Sequence, residues 1–251
     1  FNIDLLNFES LYIGSITFLG NLYLPGRIGG GFRLMYLNKK YKLKSSFLVS
    51  SLVYFFIVSF FINSFIGFFS LILNFEYTNS SLFIWLLIYG LLFLTSLYLL
   101  FKKFELKKIE VVKSKVFYKI SNYFEEAKNG WITITKFRNM NRNLICIYLI
   151  NYIFFIIDIY LITTFINIYL SISNVVFFNS INIFSGLVGI TPGSIGLKES
   201  LMILSINILQ LTFDELFQII LIERLISVVF SIIPLLIVLI YNKNLKFSFF
   251  Y

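Results

Sequence analysis

Histidine is absent from this chain of 251 residues, and cysteine occurs once. The absence of histidine excludes histidine-based acid–base catalysis and every metal site that needs a histidine ligand. Cys146 has no partner for an internal disulfide and lies in an apolar run, so we expect a small, buried, apolar side chain. The sequence contains no P-loop or dinucleotide-binding fingerprint, and we expect neither a cofactor nor a metal ion.

Charged residues are also scarce. They make up 13% of the chain against 59% hydrophobic residues, and the mean hydropathy is +0.88, whereas a soluble domain is about one-quarter charged. A helix needs about 20 apolar residues to cross a bilayer, and four runs are that long. They are 47–74, 81–101, 144–170 and 216–241, and shorter or interrupted runs occupy 5–24, 175–190 and 197–213. We predict an all-α, polytopic integral-membrane helical bundle with about six to eight membrane segments.

The chain has only three prolines, and two of them open the same Pro-Gly-x-Ile-Gly pattern. Each pattern interrupts an apolar region, which predicts a broken or re-entrant helix around a site inside the membrane. The residues assigned to the breaks are Pro25, Gly26, Gly29, Pro192, Gly193 and Gly196. Alternatively, the glycines let helices approach closely. The sequence leaves open whether 175–213 crosses twice or turns back, and whether the repeat is parallel or inverted.

Positive charge is concentrated in two stretches. Residues 27–46 carry a net charge of +6 and no acid, and residues 102–142 carry +7. The excess of lysine and arginine predicts that both stretches and the C-terminus are cytoplasmic in a multi-pass plasma-membrane protein. Apolar residues at helical spacing predict a short interfacial helix in 27–46 and an amphipathic linker helix in 102–142. The linker could bind anionic lipid or only set the topology.

A few ionisable residues lie inside the apolar segments or at the breaks. A charge in the middle of the bilayer costs roughly 2.5–3.5 kcal/mol on the insertion scale, so such residues are candidates for function. The candidate substrate-binding residues are Arg33, Asp158, Lys198, Glu199, Glu223 and Arg224. A purely structural alternative is a buried ion pair, such as Glu199 with Arg224, that only holds helices together.

These features resemble the flippase-like transmembrane domain of the lysylphosphatidylglycerol synthase/flippase family. The resemblance rests on Pro25–Gly29 followed by Arg33, on the hairpin and basic linker, and on the later Pro192–Glu199 and Glu223–Leu225. Nearly the whole chain is covered, as one transmembrane domain over residues 1–251. Members usually carry a further hydrophobic helix before the region of Leu5, so we expect one to be missing here. They often have glycine at the position of Ser194 and arginine at that of Lys198.

The resemblance implies a helical bundle that moves a lipid between leaflets. Arg33, Asp158, Glu199 and Arg224 would then correspond to polar cavity residues. No aminoacyl-transferase domain follows Tyr251, so we expect a stand-alone relative that does not make lysyl-lipid. The expected partner is a membrane lipid with an anionic or lipid-linked headgroup, together with a possible synthase or glycosyltransferase, and no nucleic acid.

Two other functions remain open. Asp158 and Glu199 could serve as acid and base in a membrane-embedded enzyme acting on a lipid-linked substrate. The chain could also be an accessory subunit that binds a partner through the 102–142 linker.

Overall fold

The structure is a computed structural model that describes residues 7–73, 80–101, 131–132 and 138–241. Within these ranges the chain forms α-helices joined by short turns, as predicted, and no strand. The helices are α1 (Asn7–Tyr23), α2 (Ile28–Tyr41), α3 (Ser45–Leu73), α4 (Ser80–Phe101), α5 (Arg138–Phe165), α6 (Ile172–Val188), α7 (Leu197–Leu204), α8 (Ile206–Leu209) and α9 (Phe213–Tyr241).

Four of these helices, α3, α4, α5 and α9, are long and apolar enough to cross a membrane. Each corresponds to one of the four long runs predicted from the sequence. The remaining helices are shorter: α1 and α6 have 17 residues each, or about 25 Å at 1.5 Å per residue, which is less than the hydrocarbon thickness of about 30 Å. Neither α1 nor α6 is therefore long enough to cross the membrane by itself in the way the four long helices can.

Helices α1 and α2 form an antiparallel hairpin. Glu9, near the start of α1, accepts hydrogen bonds from the hydroxyls of Tyr36 and Tyr41 near the end of α2, at 2.7 and 2.8 Å. It also pairs with Lys40 at 2.8 Å, and this bond to Glu9 raises the pKa of Lys40 above its ordinary value. The predicted crossing segment and interfacial helix are thus the two arms of one hairpin, whose ends lie together.

Glycine at two positions allows the arms of this first hairpin to touch. A Cβ atom added at Gly20 would lie 2.7 Å from the Cα of Gly29, and one added at Gly29 would lie 2.0 Å from the carbonyl oxygen of Thr17. Gly29 was predicted as part of the break, but it lies in the first turn of α2 and is buried against α1. Its role is therefore close helix packing, because a side chain there would separate the arms.

Helices α6, α7 and α8 form a second hairpin. The Asn174 Nδ2 atom, near the start of α6, donates a hydrogen bond to the Leu209 carbonyl at the end of α8, at 3.2 Å. At the tip, the Ser194 hydroxyl donates to the Ser185 carbonyl at 2.9 Å. The region from 175 to 213 therefore turns back to the end from which it entered.

The two hairpins enter the bundle from opposite ends. Helix α3 runs antiparallel to α6, since Phe60 packs on Phe184 with ring centroids 6.3 Å apart and the Asn63 Nδ2 atom donates to the Ser180 carbonyl at 3.1 Å. The open end of the first hairpin joins the start of α3, whereas the open end of the second lies at the other end of α3. The Pro-Gly repeat is therefore inverted.

The outward surface is apolar, as a lipid-facing surface should be. Large side chains such as Leu87, Leu94 and Phe165 are more than half exposed. Cys146 is also exposed, so the prediction that it is buried is wrong. An apolar run does not imply burial in protein when lipid is the surrounding solvent. The protein is a multi-pass membrane protein.

Part of the sequence prediction lies outside the described residues. Most of the 102–142 linker, with its predicted amphipathic helix, is in this group, and so are Lys243 and Lys246 near the C-terminus. These remain predictions.

Candidate functional site

The two Pro-Gly breaks have the same backbone conformation. In both, the residue before the proline is extended and the next two residues after the proline are left-handed. The φ values are 66° at Gly26 and 55° at Arg27, and 54° at Gly193 and 56° at Ser194. Glycine adopts this region without the steric cost that other residues meet, and proline supplies no N–H to continue a helix. The sequence repeat is therefore also a structural repeat.

The breaks are the tips of the two hairpins, and these tips meet. A Cβ atom added at Gly193 would lie 3.1 Å from the Leu22 carbonyl oxygen, next to the first break. One added at Gly189 would lie 2.7 Å from the Cγ and Nε atoms of Arg27. The residues at the tips leave little room between the hairpins, and the predicted breaks form one junction inside the bundle.

A buried ion pair joins the second hairpin to α9. Lys198 in α7 is 4% exposed and donates to Glu223 in α9, which is 6% exposed. The other oxygen of Glu223 accepts a hydrogen bond from Asn182 Nδ2 in α6, at 2.8 Å. Both charges are thus neutralised internally, which is the condition for holding them at this depth.

A second pair lies beside the first. Arg224 in α9 contacts Glu199 in α7 with an Nη2–Oε1 distance of 2.5 Å. The other Glu199 oxygen accepts the Gly196 backbone N–H at 2.7 Å, which caps the start of α7. The two side chains are 26% and 25% exposed, so the predicted pair exists but is reachable from outside. Because both Glu199 oxygens are engaged, nothing in this geometry favours Glu199 as an acid or base.

A cavity of about 620 Å³ lies between α1, α5 and α9. Its lining is mainly apolar, and the polar members are Ser10, Ser15, Asn151, Asp158, Ser227 and Ser231. Asp158 is the charged member of this lining, and no described residue forms a hydrogen bond or ion pair with it. Its carboxylate also interacts electrostatically with the nearby Lys198. The cavity is therefore a mainly apolar cleft with one acidic side chain, which lies within electrostatic reach of the buried Lys198.

The predicted site residues fall into three groups. Lys198, Glu199, Glu223 and Arg224 form the two ion pairs, and Asp158 lines the cavity next to them. Arg33 is separate: its side chain is exposed on α2, and none of the described residues bonds to it. The structure therefore brings five of the six predicted residues into one region and leaves Arg33 on the surface.

Sequence reasoning missed two residues. Arg27 was counted only as part of a basic connector, but it lies at the junction of the tips. Asn182 was noted only as a polar interruption of an apolar segment, yet it completes the coordination of Glu223. The position of Arg27 directly after Pro25-Gly26 is a signal that could have identified it.

The fold and site define a class: multi-pass helical membrane proteins in which two inverted Pro-Gly hairpins meet beside a cluster of internal charges. The chain belongs to the family described as "Lysylphosphatidylglycerol synthase TM region", which matches residues 7–246. This confirms the suspected family and associates the protein with a membrane-lipid function. Searches of curated proteins and of solved structures gave no match.

Proposed function

We propose that the protein is a lipid translocase that moves a phospholipid or lipid-linked headgroup between leaflets. The observation that carries this proposal is the meeting of two inverted hairpins in a bundle that also holds a cavity lined by Asp158. Non-helical backbone at membrane depth occurs where protein or a water-filled cavity satisfies its polar groups. Inverted broken segments around a central site are the arrangement found in many transporters.

The cavity suits a molecule that is partly polar and partly apolar. Its serine, asparagine and aspartate side chains could contact a headgroup, while its aromatic and aliphatic side chains, such as Phe154 and Phe230, could contact acyl or prenyl chains. A volume of about 620 Å³ is within the range of small-ligand sites, about 300–1,000 Å³, so it could hold a headgroup and the first part of the chains. The proposal involves no bond cleavage, so the protein would act as a transporter and not as an enzyme.

The decisive variant is Asp158→Asn. No described residue forms an ion pair or hydrogen bond with Asp158, so the substitution removes a charge without breaking such a bond. Purified protein in liposomes would carry a trace of fluorescent phosphatidylglycerol or phosphatidylethanolamine, and dithionite would bleach the outer leaflet. We expect the wild type to bring inner-leaflet probe outward, and Asp158→Asn to slow this by about tenfold or more.

A second variant tests the cavity itself. Gly14 lines it, and a Cβ atom added there meets nothing within 4 Å, so Gly14→Trp should fill the cavity and stop probe movement. Asp214→Asn is the matched control, because this exposed aspartate lies outside the cavity lining and should leave the rate unchanged. Wild-type liposomes that move no faster than protein-free ones, or full activity in both cavity variants, would contradict the proposal.

The proposal also includes the orientation of the bundle in the membrane and the enzyme that supplies the lipid. The first hairpin opens beside Lys39, Lys40, Lys42 and Lys44, and positive loops favour the cytoplasmic side. We therefore place this end of the bundle in the cytoplasm and the open end of the second hairpin outside the plasma membrane. A synthase or glycosyltransferase that supplies the lipid would then act at the basic end.

A further inference from the structure

The side chain of Arg27 lies against α6, where the absence of a side chain at Gly189 leaves room for it. A Cβ atom at Gly189 would lie 2.7 Å from its Nε atom, and one at Gly186 would lie 3.8 Å from its Nη2 atom. The guanidinium group therefore lies along the last turn of α6, at the junction of the two hairpins. The partial negative charge of a helix C-terminus favours a cation in this position.

Unlike the other cations of the junction, Arg27 is not neutralised. Lys198 and Arg224 each pair with a glutamate, but no described residue forms an ion pair or hydrogen bond with Arg27. Its contact is a cation–π interaction, with the guanidinium carbon 4.9 Å from the centroid of the Phe56 ring. Stacking of this kind helps to stabilise the charge but leaves all five N–H donors unused.

These donors can be reached. The side chain of Arg27 is partly exposed, and its nitrogens are not among the fully buried polar atoms that lack a partner. Phe56 lies about 16 Å along α3 from Ser45, at 1.5 Å per residue, so the group is well inside the bundle. An accessible, unpaired guanidinium at this depth is costly unless something with the opposite charge visits it.

One hydroxyl group near Arg27 also lacks a partner. The Tyr148 hydroxyl is buried, and no described residue forms a hydrogen bond with it. Tyr148 interacts electrostatically with Arg27. A buried hydroxyl without a partner is unfavourable, so Tyr148 offers a hydrogen-bond donor that no described residue uses.

We infer that Arg27, with Tyr148 near it, binds the phosphate group of a lipid. The planar guanidinium matches two oxygens of a phosphate, and a hydroxyl can donate to a third. This inference rests on the proposed translocase function and adds to it the residue that would contact the headgroup phosphate. The phosphate would interact with Arg27, which no described glutamate pairs with, while the paired Lys198 and Arg224 maintain the structure around it.

The test is a binding measurement in detergent, which does not depend on translocation. Calorimetric titrations would compare soluble short-chain phosphatidylglycerol, the corresponding diacylglycerol without phosphate, and inorganic phosphate. For the wild type we expect phosphatidylglycerol to bind and diacylglycerol to bind at least about tenfold more weakly, because hydrogen bonds to a charged group are lost. Arg27→Gln should reduce phosphatidylglycerol binding to the diacylglycerol level.

Two further variants separate charge from folding. Arg142→Gln is the matched control: it removes an arginine that is exposed on α5, and binding should be unchanged. Arg27→Lys keeps the positive charge and should retain part of the affinity, so it remains informative if Arg27→Gln unfolds. Equal binding by Arg27→Gln and the wild type, or equal binding of diacylglycerol and phosphatidylglycerol to the wild type, would overturn the inference.

The remaining outcomes are also decisive. If inorganic phosphate binds as tightly as phosphatidylglycerol and depends on Arg27, the site is for free phosphate and the lipid assignment is wrong. If phosphatidylglycerol binds through Arg27 but liposomes show no probe movement, the translocase proposal fails and the phosphate site stands. If the probe moves but phosphatidylglycerol binding does not depend on Arg27, the phosphate site at Arg27 is wrong and the translocase proposal stands.

Discussion

At the residue scale, the internal charges are arranged so that most neutralise one another. Lys198 with Glu223 and Arg224 with Glu199 form adjacent pairs that link α7 to α9. Asp158 and Arg27 are left without an ionic partner among the described residues. We expect the paired charges to hold the helices together and the unpaired ones to be the better candidates for contact with a substrate, since no described residue uses their bonding capacity.

The buried pair gives a stability prediction. Removing one partner of a buried ion pair costs about 3–5 kcal/mol because the other charge stays buried without compensation. Lys198→Met should therefore strongly lower the melting temperature in detergent. The double variant Lys198→Met/Glu223→Gln should recover much of that loss, because no charge is stranded and the glutamine can still accept a hydrogen bond from Asn182.

The control for this cycle is Lys39→Met, since Lys39 is exposed on α2. It should change the melting temperature by little, because exposed residues away from special features contribute within about 0.5 kcal/mol. A double variant that melts at the same temperature as Lys198→Met would show that the two side chains do not stabilise each other.

At the element scale, the first hairpin depends on glycine for its close packing. The arms approach so closely at Gly20 and Gly29 that a Cβ atom at Gly29 would meet the Thr17 carbonyl oxygen at 2.0 Å. The backbone would have to move, and the contacts of Glu9 with Tyr36 and Tyr41 at the open end would then be disturbed. The methyl group of an alanine at Gly29 would therefore disturb the packing of the whole first hairpin.

We expect Gly29→Ala to destabilise the protein by more than the 1–3 kcal/mol typical of overpacking, because the clash is with backbone. Thermal unfolding in detergent, followed by tryptophan fluorescence or by loss of monodisperse protein, would measure it. Gly14→Ala in the same arm is the matched control, since its added Cβ meets nothing within 4 Å. Equal melting temperatures for the two variants would mean that the arms are farther apart than the structure shows.

At the scale of the whole molecule, the inverted hairpins make a prediction about sidedness. The ends of the first hairpin and the ends of the second lie at opposite ends of α3. In a Cys146→Ser background, single cysteines at Lys39 and Asp214 should thus be labelled from opposite sides by a membrane-impermeant maleimide in intact cells and inverted vesicles. By the positive-inside rule, Lys39→Cys should be the cytoplasmic one.

Arg142→Cys provides the internal check on sidedness. Arg142 lies near the start of α5, at the end of the bundle where α3 begins, so it should be labelled from the same side as Lys39→Cys. Labelling of Lys39→Cys and Asp214→Cys from the same side would contradict the inverted arrangement and remove the main structural support for a translocase.

The class of protein, the four long helices and the positions of the two breaks could all be predicted from the order of the residues. Length and apolar composition are sufficient for a helix that crosses lipid, and proline with glycine stops a helix wherever it lies. The resemblance to the family rested on these breaks and the charges that follow them, and the family match over residues 7–246 confirms it.

That the short segments are hairpins, that they are inverted and that their tips meet became clear only from the folded chain. Those facts depend on contacts between residues far apart in sequence, such as Asn174 with Leu209 and Arg27 with Gly189. The partners of the internal charges were undetermined for the same reason. The local sequence determines where a helix forms and stops. Which opposite charge neutralises a given side chain depends on which helix packs beside that side chain in the fold.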